Sequence, residues 1–193
     1  MRYDAEHKQK TREKVLDAAA EALRAEGPHK LGVAGVMSKA GLTHGGFYAH
    51  FQSKEDLVCQ TIEHMFARSR LKRLDRETDL GPAEKLAAFL DYYLSPAHRD
   101  SSAGCALPAL AADAQRLTPE IRAAYSKGMA GMTARIAELL RDLGRAEPDD
   151  LATSTVAEAV GGLMLARAEP DPARSDLMLE RSKHVLMQRL NLE

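Results

Sequence analysis

Residues 41–57 read GLTHGGFYAHFQSKEDL. Hydrogen-bond donors crowd this stretch: Thr43, His44, Tyr48, His50 and Lys54. Two glycines, Gly45 and Gly46, lie side by side among them. Each glycine costs a helix roughly 1 kcal/mol relative to Ala. A missing Cβ lets a backbone come close to another surface, which is a reason to tolerate that cost. No Asp or Glu occurs between Gly27 and Lys54, whereas Lys30, Lys39, Lys54, His29, His44 and His50 fall in that window. A donor-rich segment without carboxylates suits phosphate oxygens and base edges. The candidate contact set is therefore Lys30, Thr43, His44, Gly45, Gly46, Tyr48, His50 and Lys54.

These residues need a scaffold. Val15, Ala18, Ala19, Ala22 and Leu23 repeat at helical spacing and predict a first helix over 11–26, stopped by Gly27 and Pro28. Val33, Val36, Met37 and Ala40 predict a short second helix over 33–40, bounded by Gly32 and Gly41. A tight turn leads to a third segment over 43–50 with Thr43 as its N-cap. Phe47 and Phe51 face inward in this reading. Ser53, with Asp56 three residues on, starts the following helix. Two short helices across a glycine turn form a helix-turn-helix, whose second helix enters the major groove.

Residues 11–66 resemble the DNA-binding domain of the TetR family of transcriptional regulators. Ala40, Gly41, Leu42, Thr43, Gly46, Phe47, Tyr48, His50, Phe51, Ser53, Lys54 and Leu57 carry the likeness, with Gly45 able to serve in place of Gly46. Two departures occur: Gly32 stands where Thr or Ser usually caps the second helix, and Met37 where Ala is common. The resemblance implies a repressor, a homodimer with one DNA-contacting segment per protomer, and a larger helical domain that takes a small-molecule effector. A single short recognition helix makes few base contacts, so a palindromic double-stranded operator is expected. The domain division is 1–55 for DNA and 56–193 for effector and dimerisation.

The remainder reads as all-α, about nine helices in total. Pro82 opens a helix with Leu86, Phe89, Leu90, Tyr93 and Leu94 as its stripe. SPAHRDSSAG reads as a loop, and a helix follows over about 105–116. Pro119 and Pro148 open two longer helices, and the last covers 177 to about 190. Small residues in VAEAVGGLMLARAE suit close packing, either inside one subunit or in a four-helix bundle between two.

Effector chemistry has two candidates. Cys105 sits where a helix begins, a position that stabilises a thiolate. The Gly104–Cys105 entry and the step Leu117, Glu120, Ile121, Arg122 resemble electrophile-responsive members of the family, which also implies Arg167 near the thiol. A free cysteine is also commonly a small buried hydrophobe. The alternative is an apolar pocket lined by Phe89, Tyr93, Leu110, Tyr125, Met129, Met132 and Met164, although such a stripe also makes ordinary core.

Composition excludes other classes. The 193 residues carry a net charge of −1 and include 45 % apolar residues and no Trp. Two cysteines without metal-ligand spacing point to a reducing, cytoplasmic setting. No apolar run reaches the roughly 18 residues that cross a membrane. No metal-ligating, phosphate-cradling or nucleophile motif is present, so neither an enzyme nor a cofactor is expected. His7, His29, His64, His98 and His184 are scattered and read as exposed. A helical protein-interaction module without DNA is the competing function, disfavoured by the acid-free window.

Overall fold

The computed structural model of the chain describes residues 2–101 and 105–192, and the described residues contain helices but no strand. Helix α1 spans Arg2–Lys30 and begins nine residues before the expected Thr11. Its first turns have no apolar stripe to announce them. They carry the i,i+4 pairs Lys10–Glu6 and Gln9–Glu13. The expected stop holds as a break within α1: Gly27 adopts φ 77°, ψ 172°, a left-handed conformation that disfavours other residues. Val15, Ala19 and Leu23 are fully buried, as the periodicity requires.

Helix α2 spans Val33–Lys39. Its end is a Schellman arrangement: Leu42 N–H donates to the Met37 carbonyl at 2.9 Å, and Gly41 takes φ 75°. The third segment is not the α-helix over 43–50 that was expected but a 3-10 helix over His44–Ala49. Two glycines and a six-residue length give little drive for a full α-helix. Helix α3 spans Lys54–Ala67, and the Ser53 hydroxyl accepts from Asp56 N–H at 3.0 Å. Such a cap stabilises by about 1 kcal/mol.

Beyond α3 come α4 (Arg70–Leu74), α5 (Pro82–Tyr93), α6 (Pro96–Arg99) and α7 (Ala106–Leu110). A second 3-10 helix, Ala111–Arg116, precedes α8 (Pro119–Asp142), α9 (Pro148–Ala168) and α10 (Pro172–Leu190). The expected count of about nine becomes ten α-helices and two 3-10 helices among the described residues. Single turns such as α4 and α6 are too short for periodicity to register. Residues 95–101 are thus partly helical rather than loop, with Ser95 capping α6, and 102–104 lie outside the described residues. The expected helix over 105–116 changes to 3-10 after Leu110. The last helix starts at Pro172 rather than Leu177, because Asp171 accepts from the N–H groups of Ala173 and Arg174.

Helix α3 is the hub. It packs against α1 on one side and α8 on the other, while α9 packs on α8 and α10. Leu57 and Ile62 of α3 are fully buried, as are Leu86, Leu90, Ile136, Leu140, Leu163 and Leu186 elsewhere. The α3–α8 contact is close. A Cβ on Gly128 would lie 2.1 Å from the Cδ2 and Cε2 atoms of Phe66.

Candidate functional site

Residues 43–51 are held from beneath by two phenylalanines. Phe47 and Phe51 are each 2 % exposed and stack with centroids 5.6 Å apart. Burying two such rings stabilises by about 1.5–3 kcal/mol each. Arg12 of α1 clamps the far end: its guanidinium lies 5.0 Å over the Phe51 ring, donates to the His50 carbonyl at 3.0 Å and bonds Gln60. Residues 43–50 did not reveal this clamp, because it arrives from a distant helix.

The outer edge carries the expected donors. Tyr48 is 73 % exposed, and Lys30, Thr43, His44 and Gly45 are exposed as well. Thr43 occupies the N-cap position in extended conformation, yet its hydroxyl caps nothing. The two glycines differ. A Cβ on Gly45 would meet nothing within 4 Å, whereas one on Gly46 would touch Met37 Cε at 3.7 Å. Gly45 therefore faces outward and Gly46 faces the α2 core.

His50 and Lys54 sit lower. His50 is half-buried, its Nδ1 has no hydrogen-bond partner, and burial with nearby Lys8 and Arg12 moves its pKa below the usual 6.5. Lys54 Nζ donates to the His29 carbonyl at 3.1 Å, tying the start of α3 to the end of α1.

The expected effector residues do not converge on one cavity. Phe89, Tyr93 and Cys105 line a space of about 440 Å³ between α1, α3, α4 and α5. Leu110, Tyr125, Met129 and Met164 are not among its lining residues. Leu110 is fully buried, Tyr125 donates to the Leu107 carbonyl at 3.0 Å, Met164 is half-buried, and Met129 is 39 % exposed, on the outer side of its helix. The same cavity gathers residues that single-helix patterns could not collect: Arg24 of α1, Arg68 after α3, and Arg70 and Arg73 of α4. The run RSRLKRLDR at 68–76 was the available signal.

Cys105 N-caps α7, and its Sγ accepts from Leu107 N–H at 3.5 Å. Burial nevertheless pushes the thiol pKa up, and outweighs the downward pull of that hydrogen bond and of Arg167. Arg167 lies near as the likeness implied, donating to the carbonyls of Arg99 at 3.1 Å and His98 at 3.3 Å. The thiol is therefore not a preformed thiolate. His98, read from sequence as exposed, is 2 % exposed between the rings of Tyr92 and Tyr93. Its Nδ1 bonds the Tyr93 carbonyl at 2.8 Å, and its Nε2 accepts from Cys105 N–H at 3.2 Å. Those partners define a neutral ring, and burial lowers its pKa.

A second surface stands out on α9 and α10. Leu165, Leu177, Met178 and Val185 are four of the six exposed large apolar residues among those described. The adjacent glycines of α9 split in the same way as those at 45 and 46. Gly162 faces Ser182, whose Oγ lies 3.1 Å from a Cβ position there, and Gly161 faces open space.

Comparison with known proteins agrees with this geometry. Residues 15–60 match the family described as bacterial regulatory proteins, tetR family, and residues 82–181 match the tetracyclin repressor-like C-terminal domain. The HTH-type transcriptional regulator LmrA of Bacillus subtilis is 28 % identical over 161 residues, 81 % of this chain and 86 % of that protein. Among solved structures, reduced NemR of E. coli has a similar fold, with TM-score 0.80 at 22 % identity over 93 % of this chain and 96 % of that one. A TetR transcriptional regulator from Chloroflexus aurantiacus gives 0.78 at 23 % identity over 96 % of each chain.

Proposed function

Since the chain belongs to the TetR family, and so is a DNA-binding transcriptional regulator and not an enzyme, we propose that it is a repressor acting as a homodimer on a palindromic operator and released by a small molecule. One observation carries this reading: residues 43–51 bury Phe47 and Phe51 and leave Thr43, His44, Gly45 and Tyr48 exposed. Residues 1–55 form the DNA-contacting domain in this account, and 56–193 the effector and dimerisation domain.

On duplex DNA, Thr43 and the free N–H groups behind it hold a phosphate. Gly45 lets the backbone approach the groove, Tyr48 donates to phosphate or base, and Lys30, His44, His50 and Lys54 flank them. The exposed apolar residues of α9 and α10, with Gly161 between them, support a four-helix bundle with a second copy. Two-fold symmetry would place two recognition segments on half-sites about 34–36 Å apart. The effector enters the cavity lined by Phe89, Tyr93 and Cys105, which borders α1 and α3. A ligand that binds the DNA-competent and DNA-incompetent arrangements unequally shifts the balance between them. Leu110, Tyr125, Met129 and Met164 lie outside its lining. A second reading, an electrophile that alkylates Cys105, is favoured by the thiol's place in the same lining.

The test is retention of fragments from the source genome by purified protein. Replacing Tyr48 and Lys54 together with Ala should weaken retention while the fold survives. Unchanged retention would remove the assigned contact set. Sedimentation of a Val185→Asp variant checks the bundle: it should shift the protein toward monomer.

A further inference from the structure

Segment 44–49 has little to hold it by itself. It is six residues long with two glycines, and the Thr43 hydroxyl at its N-cap makes no capping bond. At its other end the N–H groups of His50 and Phe51 share the Phe47 carbonyl, at 2.9 and 3.0 Å. The His50 side chain adds no anchor through Nδ1, which has no hydrogen-bond partner.

What fixes that end comes from outside the segment. Arg12 of α1 is half-buried. Its Nη1 donates to the His50 carbonyl at 3.0 Å, and its guanidinium lies 5.0 Å over the Phe51 ring. Its Nη2 donates to Oε1 of Gln60, a half-buried residue of α3. The same Gln60 amide donates through Nε2 to Asp56 Oδ1 at 2.7 Å, and Oδ2 of Asp56 accepts from Gln52 N–H at 2.9 Å. His50 and Gln52 are thus both tied to one amide of α3, the first through Arg12 and the second through Asp56. A guanidinium is planar and its donors stand at fixed angles, so holding one nitrogen aims the other. Without the Gln60 oxygen, Arg12 keeps only the His50 carbonyl and the ring face, and its long side chain regains rotamer freedom.

Resting on the reading of residues 43–50 as the DNA contact, we propose that Gln60 is a positioning residue for operator binding. It stays behind Arg12, and through Arg12 it fixes how segment 44–49 is presented to the groove. Arg12 is then an internal fork and not a phosphate contact, because both its terminal nitrogens are engaged inside the protein.

The full-length protein carries the test. Gln60→Met keeps the length and helix propensity of the side chain and removes the acceptor. Hydrogen exchange read by mass spectrometry should quicken about tenfold or more in a peptide spanning residues 47–53 and stay at the wild-type rate in α9 and α10, a pattern that general destabilisation does not give. Retention of a genomic duplex that the wild type binds should fall about tenfold, well below the melting temperature of both proteins. Gln60→Glu forfeits the Asp56 bond yet still accepts from Arg12, so it should recover most of that loss. A Glu variant as weak as the Met variant assigns the effect to the Asp56 bond and overturns the proposal. Arg12→Lys keeps the charge without the fork and should weaken retention as Gln60→Met does. Wild-type retention by Arg12→Lys makes Arg12 a charge contact instead and also overturns it. Unchanged exchange in Gln60→Met overturns the proposal and leaves the reading of the DNA contact standing. Faster exchange with wild-type retention refutes that reading itself, and the proposal with it.

Discussion

Gly128→Ala tests the close contact between α3 and α8. The added Cβ would lie 2.1 Å from two ring atoms of Phe66 and 2.7 Å from Cγ. Carbon atoms rest at about 3.5–4.0 Å, so the ring must retreat by roughly 1.5 Å. Because Cγ is among the close atoms, rotating the ring about its own axis does not relieve the clash. The ring must swing from Cβ toward the adjoining space of about 320 Å³, lined by Leu71 and Met132. Overpacking of this kind costs about 1–3 kcal/mol. Ala in a helix interior returns roughly 1 kcal/mol relative to Gly. The net expectation is a loss of up to about 2 kcal/mol. In a Phe66→Ala background the clash is gone, so Gly128→Ala should stabilise by up to about 1 kcal/mol. The difference between the two backgrounds gives a coupling of roughly 1–3 kcal/mol, above the scatter for independent sites. Urea unfolding of the four proteins at one protein concentration measures it. Stabilisation by Gly128→Ala in the wild-type background would refute the reasoning.

Other outcomes follow from the same structure. His98 is buried neutral with a lowered pKa, so the unfolded chain binds its proton more readily. The stability it contributes is complete above about pH 6.5 and is lost as pH falls through the lower folded value. His98→Gln should flatten part of the acid decline in melting temperature between about pH 7 and 5; an unaltered profile would mean that His98 does not titrate in that range. Alkylation of Cys105 should be slow at neutral pH and accelerate toward alkaline pH, because burial raises its pKa. If the thiol is the sensor, N-ethylmaleimide lowers operator retention in the wild type and spares Cys105→Ser; equal loss in both assigns the effect elsewhere. Ser53→Ala should cost about 1 kcal/mol by removing the cap of α3, readable in the same urea titration.

Much of this was legible in one dimension. Val15, Ala19 and Leu23 announced the buried face of α1, and Phe47 and Phe51 announced the underside of residues 43–51, because burial follows apolar spacing. Ser53 and Pro82 announced helix starts through local chemistry that needs no tertiary partner. The missed features depend on distant contacts. Arg12 clamps residues 38 positions away, and the burial of His98 is set by α5 and by Cys105. The arginine-lined cavity draws on α1, α3 and α4 at once, so no single periodic stripe could display it. The thiol of Cys105 shows the limit of a local rule: its helix start and Arg167 pull the pKa down, and burial wins.

Gly45→Leu tests the central claim most directly. Its Cβ would meet nothing within 4 Å, so the side chain should fold without strain and the melting temperature should stay near that of the wild type. If residues 44–49 press against the groove, the bulk keeps the backbone away and operator retention falls by about tenfold or more. Wild-type retention by a folded Gly45→Leu protein would contradict the account.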